Sequence, residues 1–235
     1  MTQTVLITGA NRGIGKALAE KCAQNNMFVI LVCRNSEKAK PVLHNILSQG
    51  GKAVLKKCDV SNLSDIEILG KDIKQEFQSL DILINCAAIN TDTEETSIQN
   101  MPVDLLYDTM QTNFFGSVWM CKEFIPLLKK SESGRIINFS SGLGQLSVPR
   151  MGPFPAYSMS KTAVNALTKV LADEVKDSNI IVTSVDPGWV ATDMGGPNAM
   201  LSIEEGIDTP FWLATAPASD LQSGYFYKER KILDW

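Results

Sequence analysis

A chain of 235 residues with a formal charge of −4 and a pI near 5.1 has the size of one α/β domain and lacks the basic excess that a phosphate backbone requires, which excludes nucleic acid as a partner. The single histidine, His44, rules out a His-based metal cluster and a Ser-His-Asp triad, and the five cysteines are odd in number and widely spaced, as reduced core thiols of a cytoplasmic protein would be. No apolar run reaches membrane-spanning length and the first strand starts close to Met1, so neither a membrane span nor a leader is expected.

In chain order, apolar β-rich runs at 4–8, 27–33, 53–58, 81–85, 135–140 and 180–185 predict six buried strands. Apolar positions at three- and four-residue spacing predict helices near 13–24, 36–48, 63–77, 103–130 and 157–175. Strands alternating with helices imply an α/β fold, a doubly wound parallel sheet of about seven strands with helices on both faces, and residues 1–235 read as a single domain. Segments 90–101, 142–156 and 193–202 break the rhythm with Gly, Pro, Thr and Met, each after a strand's carboxyl end. Ligands of open parallel sheets bind at those ends, which makes the three segments candidates for a substrate-pocket wall and lid.

The first predicted strand runs into Gly9-Ala-Asn11-Arg12-Gly13-Ile14-Gly15, and a helix begins there. A strand, a glycine turn and a helix N-terminus present free backbone N–H groups and a positive dipole end to a pyrophosphate, as in a Rossmann-type dinucleotide site. Glycines let the backbone turn tightly and approach the phosphates without Cβ atoms in the way. The second strand ends Val32-Cys33-Arg34, without the acidic residue that binds the ribose 2′-hydroxyl of NAD. Arg34 and Arg12 are instead positioned to clamp a 2′-phosphate, so the predicted cofactor is NADP(H). Further along, Tyr157-Ser-Met-Ser-Lys161 opens a helix, where residues four apart share one face. A phenol needs a neighbouring positive charge to shuttle protons near neutral pH, and Lys161 supplies one.

The G-x-x-x-G-x-G spacing and the Tyr157/Lys161 pair resemble those of the short-chain dehydrogenase/reductase family, and the resemblance covers almost the whole chain. It implies that Asp59 binds the adenine amino group while Val60 flanks the ring, and that Asn85 and Ala87 stand for two positions of the family's Asn-Asn-Ala-Gly, with Cys86 and Ala88 as departures. Ser141, in preference to Ser140, matches the serine that holds the substrate oxygen, and Asn113 matches the asparagine that supports a water beside the lysine. Asn113, Ser141, Tyr157 and Lys161 thereby complete a catalytic tetrad. Pro187, Gly188, Val190 and Thr192 match the segment that orients the nicotinamide. The implied reaction is hydride transfer between NADP(H) and a carbonyl or alcohol carbon, with no metal.

Within the family, Pro187-Gly-Trp-Val-Ala-Thr-Asp-Met looks most like NADPH carbonyl reductases, and the following Gly-Gly-Pro-Asn also resembles bacterial C-factor-like members. Carbonyl reductases acting as monomers carry a long insertion before the tyrosine; Ser141 and Tyr157 are only 16 positions apart, so a homodimer through helices 103–130 and 157–175 is the expectation. Leu143, Leu146, Val148, Met151, Phe154, Trp189 and Met194 would line an apolar pocket for a small ketone, aldehyde or quinone. The alternative is a signalling or regulatory protein of C-factor type that binds NADP(H) with little turnover. A sugar-nucleotide epimerase would have a longer chain and a different glycine spacing.

Overall fold

The computed structural model describes residues 2–149 and 152–235. Strand β1 (Thr4–Thr8) lies inside the sheet, and its side chains alternate between two cores: Val5 and Ile7 enter one, Leu6 the other. The same two-residue period divides β2 (Phe28–Cys33), where Val29 and Leu31 oppose Ile30 and Val32, and β4 (Ile82–Asn85), where Ile82 and Ile84 oppose Leu83. Strands that are apolar on both faces must be covered on both. One cover consists of α1 (Gly13–Gln24), α2 (Ser36–Ser48) and α7 (Ile203–Thr215), through Leu18, Cys22, Ile46 and Leu213. The other consists of α3 (Leu63–Glu76), α5 (Gly116–Leu128) and α6 (Pro155–Glu174), through Leu69, Ile73, Phe124 and Leu171.

With β3 (Lys52–Lys57), β5 (Gly134–Phe139), β6 (Ile180–Val185), β7 (Tyr225–Lys228) and β8 (Lys231–Leu233), the sheet has eight strands in the order β3-β2-β1-β4-β5-β6-β7-β8. All neighbours pair in parallel except β7 and β8. Strand order reverses at β1, which pairs with β2 on one side and β4 on the other, so a crevice opens there at the carboxyl ends. The six expected strands are all present, with ends shifted by at most one residue.

Three elements escape the sequence reading. Strands β7 and β8 are four and three residues long, too short for a clear alternation, and β8 adds the antiparallel edge. Helix α7 carries an interior Pro210, but Ser202 and Glu205 close a capping box at its start. The helix expected over 103–130 is also interrupted: α4 (Val103–Met110) and α5 flank a π-helical segment, Gln111–Phe115, in which the Gly116 amide reaches back to the Gln111 carbonyl. All five cysteines are unpaired.

Candidate active site

The glycine turn is built for a backbone to pass where no side chain fits. Gly9 and Gly13 have φ of 70° and 53°, and a Cβ on Gly9 would stand 3.0 Å from the Ala87 Cα. A Cβ on Gly15 would stand 2.4 Å from the Gly9 carbonyl oxygen. Thr8, not singled out in the sequence, joins this turn to the end of β4: its Oγ1 accepts from the Cys86 and Ala87 amides, each at 3.0 Å. Helix α1 starts at Arg12 with no side-chain cap and no acidic residue in its first turn. Its positive end therefore faces the crevice unneutralised, the chemistry that a pyrophosphate fits.

The crevice is a cleft of about 390 Å³. Gly9, Asn11, Arg12, Gly13, Ile14 and Gly15 line one end of it, with Arg34 from the end of β2, and Asp59 and Val60 from the end of β3. Ala87, Tyr157, Lys161, Pro187 and Thr192 line the remainder. The two arginines have acidic neighbours: Arg12 Nη1 meets Asp193 Oδ2 at 2.8 Å, and Arg34 Nη1 lies 3.8 Å from Asp59 Oδ2. Asp59 also accepts from the Ser61 amide and hydroxyl. Lys38 adds a third cation to the Arg34 side of the cleft; its signal was a second basic residue one helical turn after Arg34.

Asn85, Asn113, Ser141, Gly188 and Val190 stand outside the cleft lining. Asn85 is buried beneath it, donating to Cys121 Sγ at 3.3 Å and Asn138 Oδ1 at 2.9 Å. Gly188 takes φ of 79° and its amide donates to Asp186 Oδ1 at 3.0 Å, while Val190 is buried and bridges to Leu201. Of the apolar residues expected around the substrate, Met194 lines the cleft; Leu143, Leu146, Val148, Phe154 and Trp189 do not, and Met151 falls outside the described residues.

Helix α6 carries Tyr157 and Lys161 one turn apart. Lys161, 2% exposed, donates from Nζ to the Phe139 carbonyl at 2.7 Å and lies over the Tyr157 ring, 5.4 Å from its centroid. Burial lowers the Lys161 pKa to about 8, partly offset by Cys86. The Ser141 hydroxyl bonds the Tyr157 phenol, and Ser141 Oγ accepts from the Leu143 amide at 3.2 Å. Ser140 lines the cleft, and its hydroxyl donates to the Lys161 carbonyl at 3.1 Å.

Contrary to expectation, Tyr157 is not depressed in this geometry. Burial and then the carboxylate of Asp186 push it above the usual phenol range, against the Ser141 bond. Asn113, 1% exposed in the π-helical segment, uses its whole amide on protein: Nδ2 donates to the Ile89 carbonyl at 2.9 Å and Ser160 Oγ at 3.0 Å, and Oδ1 accepts from the Ile89 amide at 2.8 Å. Its side chain thus stitches the loop after β4 to α6. Among the described residues, no group of His, Cys, Asp and Glu could hold a metal ion.

This fold and this site define a class, and comparison with known proteins agrees: the chain belongs to the short chain dehydrogenase family, whose model matches residues 3–200. It is similar to carbonyl reductase (NADPH) 1 of Bos taurus, at 28% identity over 98% of this chain and 97% of the relative. That alignment spans 275 positions against 235 residues here, so the bovine protein carries extra residues. Among solved structures, the NADPH-bound carbonyl reductase from chicken fatty liver superposes with a TM-score of 0.88 at 27% identity, covering 100% of this chain and 99% of that one. The carbonyl reductase Sniffer of D. melanogaster matches with a TM-score of 0.88 at 30% identity, covering 100% of both chains.

Proposed function

We propose that this protein is an NADP(H)-dependent carbonyl reductase whose residues 1–235 form one cofactor-binding domain. The observation that carries the reading is the meeting, in one cleft, of an uncapped glycine-turn helix, three cations at the adenosine end and the Tyr157–Lys161 pair at the other. The names of the similar carbonyl reductases support the same cofactor. Gly9, Asn11, Gly13, Ile14 and Gly15 would cradle the pyrophosphate, and Arg12, Arg34 and Lys38 the 2′-phosphate. Asp59, Val60 and Ala87 would flank the adenosine half, and Pro187 and Thr192 the nicotinamide, with Asn85, Gly188 and Val190 shaping the cleft from behind.

When bound, the nicotinamide supplies or accepts a hydride. Tyr157 gives a proton to the substrate oxygen during reduction and takes it back during oxidation, while Ser141 holds the same oxygen. An upward-shifted phenol favours the proton-carrying form needed for reduction. Lys161 holds its charge against the ring, and Asn113 keeps the loop and helix in register. The substrate class is small apolar ketones, aldehydes or quinones.

The absorbance of NADPH is to be followed against a panel of those compounds. Turnover by the wild type, and its loss by about 10²–10⁴-fold in Tyr157→Phe with NADPH affinity unchanged, is the expected result. Binding without turnover across the panel would favour the regulatory reading instead. Exposed Val103, Tyr107, Phe115 and Val170 on α4, the π-helical segment and α6 support a homodimer, and the unpaired thiols support a reducing, cytoplasmic setting. No helix among the described residues is long and apolar enough to cross a membrane.

A further inference from the structure

Helix α6 lacks a capping side chain of its own. Its N-cap residue is Phe154, which makes no side-chain cap bond, and its first position is Pro155, which has no N–H. The next two amides, those of Ala156 and Tyr157, are the free donors that a helix start must satisfy. Both are satisfied from 64 and 65 residues earlier: Asp92 Oδ1 accepts from the Ala156 amide at 3.4 Å and Oδ2 from the Tyr157 amide at 2.8 Å. Asp92 is only 9% exposed, and among the described residues it forms no ion pair. A buried carboxylate without a cation is stabilised only by such donors and by the positive end of a helix.

The segment that carries Asp92 is itself fixed. Ile89 is held at both its amide and its carbonyl by Asn113, the Asp92 amide donates to Asn90 Oδ1 at 3.3 Å, and Thr91 Oγ1 lies 3.4 Å from Thr109 Oγ1 of α4. The loop after β4 is therefore tied down at residues 89–92 before it reaches the helix start. Ala87, Ala88 and Ile89, just upstream, line the cleft.

We infer that Asp92 is a positioning residue for the catalytic tyrosine: it supplies in trans the N-cap that α6 lacks, and so fixes the rotation and height of Tyr157 and Lys161 relative to the cleft wall. The two bonds land on the tyrosine's own backbone and on the residue before it, the positions that an N-cap side chain serves in an ordinary helix. Movement of the loop after β4 would be passed directly to the acid–base group. This inference rests on the oxidoreductase reading, but the capping contact can be measured without turnover.

The test compares Asp92→Ala, Asp92→Asn and, as a control that removes a carboxylate elsewhere, Glu67→Gln on the exposed side of α3. Amide exchange at Ala156 and Tyr157 is read by NMR, and kcat and KM are measured with NADPH and the panel compound that the wild type turns over fastest. Asp92→Ala should speed exchange at both amides by about tenfold or more and lower kcat by about 10²-fold, with KM for NADPH within about twofold of wild type. Asp92→Asn keeps one acceptor oxygen and should fall between, while Glu67→Gln should leave kcat and both amides unchanged. Unaltered protection of the two amides in Asp92→Ala, an unaltered kcat, or an Asn variant no better than Ala would overturn the inference. A wild type that turns over nothing refutes the oxidoreductase reading and with it the catalytic consequence; the exchange measurement then still decides the cap.

Discussion

Substituting Gly144 by alanine tests how tightly the serine-bearing turn is pressed against the catalytic helix. A Cβ there would stand 2.7 Å from the Lys161 carbonyl carbon, 2.8 Å from the Lys161 Cβ and 2.8 Å from the Thr162 amide nitrogen. Carbon atoms rest at about 3.5–4.0 Å, so relief requires the turn and helix to separate by roughly 1 Å. None of the three atoms is the end of a flexible side chain. The Gly144 carbonyl is moreover tethered to α6 by Thr162 Oγ1 at 3.0 Å and Asn165 Nδ2 at 3.4 Å, bonds that the separation would stretch. Overpacking of this kind costs about 1–3 kcal/mol, or a fall in Tm of about 2–12 °C for a chain of this size. Because Ser141 rides on the turn and Lys161 on the helix, the same 1 Å opens the site itself, and a misplacement of that size lowers turnover by about 10²-fold. Thermal unfolding followed by circular dichroism gives the first quantity, and NADPH consumption with the best panel compound gives the second. A variant with wild-type Tm and kcat would refute the claim that this contact sets the spacing of Ser141 and Lys161.

Replacing both Arg12 and Arg34 by alanine should lower kcat/KM for NADPH by about tenfold per arginine, the low end for charge-assisted bonds because both side chains are exposed, while NADH is little affected. An unchanged NADPH/NADH ratio would remove the 2′-phosphate assignment. Asp186→Asn takes away the carboxylate that, after burial, raises Tyr157. The rising limb of alcohol oxidation, which needs the deprotonated phenol, should therefore move to lower pH, and an upward or absent shift in the measured profile counts against Tyr157 as the base. Lys161 has a folded pKa of about 8, below its ordinary 10.5, so between these values the unfolded chain binds more protons than the folded one. Its burial thus opposes folding at neutral pH and is relieved as pH rises past about 8; urea unfolding of Lys161→Met from pH 8 to 10 should lack this upward contribution, and identical pH dependence in both proteins would contradict it.

The strands that make the crevice were legible because they are apolar on both faces, and Val5-Leu-Ile7 leaves few other ways to be buried. The phosphate turn was legible because its constraint is steric and glycine is the only residue that meets it. Much less visible were contacts between segments distant in sequence. Nothing in Thr91-Asp92-Thr93 announces that the carboxylate ends on the Tyr157 amide, and nothing in Asn113 announces that its amide is consumed by Ile89 and Ser160. The upward shift of Tyr157 was likewise hidden: spacing places Lys161 on the same helix face, but only the packed structure buries the phenol and brings the Asp186 carboxylate near it. Apolar composition marks the loops around a substrate but does not distinguish a cleft wall from the outer side of the same loop.

The π-helical turn at Gln111–Phe115 has a consequence for how this chain can change over time. An α-helix rotates by about 100° per residue, so a segment that accommodates one extra residue offsets everything on one side of it by that angle. Deleting a single residue here would restore regular hydrogen bonding and improve the helix taken alone. It would also swing Asn113 away from Ile89 and Ser160, or else carry α4 round to present a different side to α6. Along this stretch the molecule is thus far less forgiving of lost residues than of exchanged ones, and the irregular turn is held in place by what it aims rather than by its own stability.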